Sequence, residues 1–93
     1  MPLDRAITTL DHARAAIADR QASYGSPVSS FERTAAIWQS ILGPKLGREH
    51  SISAADVVLM MAGLKLSRLV ETPDHLDSAV DLAGYASLIQ EVI

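Results

Sequence analysis

The stretch SAADVVLMMAGLKLSRLVETPDHLDSAVDLAGYASLIQEVI, residues 53–93, decides the fold. Ser53 and Asp56 stand at capping-box spacing, so a helix is predicted to start there and to run to about residue 71. Thr72-Pro73-Asp74 is a short break, after which Asp74 is placed to cap a further helix reaching close to residue 93, with Asp77 in its first turn. A connection this short makes the two helices antiparallel neighbours. Both are apolar around much of their circumference, the pattern of helices covered on several sides. The longest apolar run, residues 57–64, is too short to span a bilayer and is followed by Lys65 and Arg68, so it reads as a buried helix with Met60 and Met61 in the core.

Working upstream, Leu3, Ala6, Ile7, Leu10, Ala13 and Ile17 recur at helical spacing and predict a first amphipathic helix over about 3–21. Gly25 and Pro27 stop it. A second helix is predicted to begin near Ser29, which has capping-box spacing to Glu32, and to carry Phe31, Ala35, Trp38 and Leu42 on its apolar face until Gly43-Pro44. Residues 45–51 read as a loop. The expectation is an all-α, four-helix single domain over 1–93, with helices three and four forming an antiparallel hairpin. A chain of 93 residues has little else to cover that hairpin, so packing in a helical oligomer is expected, with a dimer as the default.

Composition agrees with helices. Hydrophobic residues make up 48% of the chain with aromatics at 4%, so the core must come from Ala, Leu, Ile, Val and Met. Eight basic and eleven acidic residues are scattered, net charge -3, with no basic stripe of the kind that general nucleic-acid binding needs. Without cysteine there is neither a disulfide framework nor a thiolate zinc site. His12, His50 and His75 lack mutual ligand spacing, and His75 reads as a surface histidine near a cap. No glycine-rich phosphate loop and no marked nucleophile occur. The first twenty residues alternate charge with apolar residues and do not resemble a secretory signal, so a cytoplasmic protein without membrane contact is expected.

One charged constellation remains. Lys65 and Arg68 lie three apart on helix three, and Asp77 and Asp81 four apart on helix four. In an antiparallel hairpin Lys65 faces Asp81 and Arg68 faces Asp77. One reading makes these two interhelical ion pairs that fix the register. The other lets Asp77 and Asp81 hold a divalent cation, with Mg2+ the candidate, while Lys65 and Arg68 contact phosphate oxygens. Tyr24-Gly25, at the first turn, offers a ring for stacking or else a packed tyrosine, and Asp19-Arg20 just upstream joins the same site or forms local surface charge.

The strings DRQASYGSPVSSFERTAAIW, DVVLMMAGLKLSRL and PDHLDSAVDLAGYASL resemble a small phage-associated family often described as MazG-like. The likeness spans nearly the whole chain. Its most specific pieces are Asp19-Arg20 with Tyr24-Gly25, Lys65 with Arg68, and Asp77-Ser78 with Asp81 and Gly84-Tyr85. The resemblance implies an all-α nucleotide-associated domain and adds Tyr85 to a ligand-binding set of Asp19, Arg20, Tyr24, Lys65 and Arg68. More distantly the chain is similar to nucleoside-triphosphate pyrophosphohydrolases, whose EExxE and ExxD motifs bind magnesium. Here only Glu32 stands on helix two, and Ser78 occupies the position three before Asp81. The leading expectation is therefore a phage-type protein, in the host cytoplasm if phage-encoded, that binds or sequesters a nucleotide or nucleotide-derived signal at an oligomer cleft. A magnesium-dependent pyrophosphohydrolase and a structural or partner-binding helical module are the alternatives.

Overall fold

The computed structural model describes residues 2–47 and 49–93, with the side chains of residues 23 and 24 outside that description. Four helices follow in order: α1 (Asp4–Tyr24), α2 (Pro27–Leu46), α3 (Ala54–Glu71) and α4 (Leu76–Val92). No strand occurs among the described residues, and none of the helices is long and apolar enough to cross a membrane.

The helix ends show which local signals decide. At α3 the capping box forms as its sequence predicts: the Asp56 N–H donates to Ser53 Oγ at 3.1 Å and the Ser53 N–H donates to Asp56 Oδ2 at 2.9 Å. The α1 helix continues through residues 22–24 because only Gly25, at φ 81, breaks it, donating its N–H to the Gln21 carbonyl. The α2 helix starts earlier than Ser29. Pro27, with φ already suited to a first helical position, begins it behind Ser26, so the Ser29–Glu32 box does not form. Pro44 does not end α2 either. It sits inside the helix, which runs on to Leu46 and closes at Gly47, φ 86, whose N–H donates to the Gly43 carbonyl. His75, not Asp74, caps α4: its Nδ1 accepts from the Ser78 N–H at 3.3 Å and lies 2.7 Å from Ser78 Oγ.

The α3 helix packs most extensively on α4, α1 packs on α4, α2 packs on α3, and α1 and α2 barely touch. Gln39 ties the α2–α3 connection down: its Oε1 accepts from the Ile52 N–H at 2.6 Å and its Nε2 donates to the His50 carbonyl at 3.3 Å. Among the described residues the buried set is thin and built of small residues: Ala13, Ala35, Val57, Val58, Gly84 and the hydroxyl-bearing Ser78.

Two expectations about the core are corrected. Leu3, Ile7 and Leu10 of the α1 stripe are exposed, because the cover on α1 falls on Ala13, Ala16 and Ile17 instead. Met60 is also exposed, since α4 and α2 take up the α3 face that carries Val57, Val58 and Met61. The resulting shape is extended, 52 × 31 × 19 Å with a radius of gyration of 15.1 Å, where a globule of this length has about 12 Å. Its accessible surface is 6863 Å², whereas a compact monomer of the same mass exposes about 5,200 Å².

Candidate functional site

A cleft of about 890 Å³ opens where the C-terminal half of α1, the first turns of α2 and the middle of α4 converge. It exists because α1 and α2 diverge from their short connection, while α4 packs on α1 and α3 rather than filling the space between α1 and α2. Ala13, Ile17, Val80 and Leu88 give it an apolar floor. Its rim carries charge of both signs: Asp19 and Arg20 from α1, Arg33 from α2 and Asp81 from α4.

Two rings stand in the cleft wall. Phe31 and Tyr85, both half-buried, meet edge to face with centroids 6.3 Å apart and planes at 61°. Gly84, buried beside Tyr85, lines the cleft without contributing a side chain. The N-terminus of α2 faces the same space. Ser26 forms no side-chain cap and Pro27 has no N–H, so the first-turn N–H groups of Val28 and Ser29 are left without helical partners. With the partial positive charge of the helix end, this rim favours an anion.

Asp81 is held from below. Lys65 Nζ lies 2.9 Å from Asp81 Oδ2, with the lysine side chain 13% and the aspartate 28% exposed. This is the pairing that helical spacing predicts. The companion pair does not form: among the described residues Arg68 and Asp77 make no ion pair, and both are exposed. The reason lies in the first turn of α4. Ser78, bonded to His75, takes the inward position, and its neighbour Asp77 is carried about 100° around the helix toward solvent.

The structure thus gathers Asp19, Arg20, Asp81 and Tyr85 of the sequence-derived set, with Lys65 reaching the cleft through Asp81. Arg68 and Asp77 stand outside it. The side chain of Tyr24 lies outside the described residues, although Gly25 next to it lines the cleft. Sequence reasoning missed Arg33. The signal was present, since Arg33 follows Phe31 by two positions on the first turns of α2, but it carries weight only once Phe31 is known to border a cleft.

The donor set within one chain does not fit magnesium. That ion asks for near-octahedral oxygen coordination. Asp81 is engaged by an ammonium group, Asp77 points away, and among the described residues no three His, Asp or Glu side chains gather as a metal-holding group.

Residues 8–93 match the family model described as "Domain of unknown function (DUF6378)", and the chain belongs to that family. It is similar to the "Gene 55 protein" of Mycobacterium phage L5, 36% identical over 73 residues that make up 78% of this chain and 44% of the relative. It is also similar to the "Gene 55 protein" of Mycobacterium phage D29, 32% identical over 74 residues, 80% of this chain and 45% of the relative. The chain therefore spans less than half the length of these curated relatives. No solved structure matches it. The two relatives are phage proteins, which supports the phage half of the family resemblance.

Proposed function

We propose that this chain is a phage-type nucleotide-binding protein that binds or sequesters a nucleotide or nucleotide-derived signal in the α1–α2–α4 cleft. One observation carries the reading: Arg20 and Arg33 line an apolar-floored cleft beside the open N-terminus of α2, with Tyr85 and Phe31 in the same wall. Arginine and helix N–H groups suit phosphate, and aromatic rings beside an apolar floor suit a base. Among the described residues neither arginine has a carboxylate partner, so each is available to an incoming anion.

The same reading includes a MazG-like relationship, an antiparallel α3–α4 hairpin that carries the Lys65–Asp81 pair, and a homo-oligomeric state. The surface excess of the single chain supports the last of these. A magnesium-dependent pyrophosphohydrolase would need further carboxylates from outside this chain, so the proposal is binding.

The test is a thermal-shift screen over mononucleotides, dinucleotides and cyclic signalling nucleotides, with and without magnesium, because a ligand of the folded state raises its apparent stability. Hits are then titrated calorimetrically against variants. Arg20→Ala and Arg33→Ala should each weaken binding about tenfold or more, the effect of losing a hydrogen bond to a charged group. Arg68→Ala, outside the cleft, should leave affinity unchanged. A screen without any stabilising nucleotide, or equal affinities across the three variants, would overturn the assignment.

A further inference from the structure

The α3 helix has a second apolar face that nothing in the chain covers. Leu59, Gly63, Leu66 and Val70 follow one another at spacings of four, three and four, the spacing of a coiled-coil seam. Leu59 is 60% exposed, Leu66 53% and Val70 83%. Gly63 is exposed in the same line, and a Cβ placed on it would meet nothing within 4 Å. Nothing inside the protomer therefore requires a glycine at this position, although a mid-helix glycine weakens its helix. A glycine in an apolar seam does have a use between helices, because it leaves a hole that a facing side chain fills.

We infer that this seam is occupied by a second copy of the chain, the two α3 helices lying antiparallel across a two-fold axis between residues 63 and 66. The inference rests on the oligomeric part of the proposed function and names its surface. Self-complementarity argues for a second copy. In a two-fold antiparallel pair Leu66 of each chain fills the gap over Gly63 of the other, and Leu59 meets Val70, so large faces small along the seam. A parallel pair would set glycine against glycine and leave a void.

The area agrees. One chain exposes roughly 1,600 Å² more than a compact monomer of its mass, where a standard interface takes about 800 Å² from each partner and obligate dimers take more. None of the four seam residues lines the cleft, so both surfaces can be used at once.

The experiment has two readouts on the full chain. Light scattering at micromolar concentration should give twice the 10.0 kDa chain mass. Gly63→Leu should give a helical protein of single-chain mass, since its side chain has free space within the protomer but blocks the partner. The chain has no cysteine of its own, so Leu59→Cys combined with Val70→Cys should oxidise to a covalent dimer. The two positions are about 16 Å apart along one helix and cannot bridge within a chain. The equally spaced control, Leu3→Cys at the N-cap of α1 with Arg14→Cys within it, should remain a single chain on a denaturing gel. A wild-type mass of 10.0 kDa would overturn both the oligomer and the seam. A wild-type dimer that survives Gly63→Leu and fails to cross-link would overturn the seam while leaving oligomerisation in place.

Discussion

Replacing Asp81 with Asn keeps the shape of the side chain and removes the charge that Lys65 Nζ approaches to 2.9 Å. The variant leaves a lysine only 13% exposed opposite a neutral amide. An exposed pair contributes up to about 1 kcal/mol and breaking a fully buried one costs about 3–5 kcal/mol, so a pair at this depth should cost about 1–3 kcal/mol. In a domain of this size each kcal/mol lowers the midpoint of thermal unfolding by about 4–8 °C. The assay is urea denaturation at one protein concentration, so that the mass-action contribution of any assembly is held constant across the comparison. A companion variant, Lys65→Met with Asp81→Leu, should recover most of the loss, since apolar residues of similar volume replace the pair without an orphaned charge. A urea midpoint unchanged by Asp81→Asn would refute the structural role. If magnesium titrations changed instead, with stability untouched, Asp81 would be a metal ligand and the Lys65 contact incidental.

Gln39→Leu removes both hydrogen bonds that hold the α2–α3 connection and should cost about 1–3 kcal/mol, seen as faster hydrogen exchange at the Ile52 N–H that donates to it. Gly84→Ala should raise stability by about 0.5–1 kcal/mol, because the added methyl meets no atom within 4 Å and α4 gains a better helix former; a lower urea midpoint would show that the cleft wall cannot accept a Cβ there.

The helices were legible wherever a cap or a period was decisive. Ser53 and Asp56 state the start of α3 in side-chain chemistry that needs no tertiary help, and the structure shows both bonds. The misread ends share a cause: at each, two local signals competed and the sequence does not weigh them. Ser29 offered a capping box, but Pro27 had already set the backbone for a first turn. Asp74 is a stronger cap by type than His75, but the break ends one residue later, and Ser78, whose hydroxyl has to be satisfied in the buried position, selects the neighbour that reaches it. The candidate site was legible only in part for a different reason. The Asp19-Arg20 pair and Tyr85 are far apart in sequence, and they line one cleft because α1 and α2 splay apart around α4, a property of packing that no spacing encodes.

The exposed residues carry the same lesson into assembly. Periodicity marks Leu3, Ile7 and Leu10 as one apolar face and finds α3 apolar around much of its circumference, but it cannot say whether the cover comes from the same chain. Here the fully buried apolar positions are small residues, Ala13, Ala35, Val57 and Val58, while many of the large ones, among them Leu59, Leu66 and Val70, stay exposed. A core of that kind buries little apolar area per residue, in a chain short enough that folding alone buries only a modest fraction of its surface. The exposed Leu, Ile and Val side chains are therefore the main unspent source of stability, and a second copy is the partner always present at matching concentration. If the proposed α3 pairing forms, the Gly63 seam and the Arg20–Arg33 cleft would be linked through stability, because α3 packs on α4 and α4 supplies one wall of the cleft.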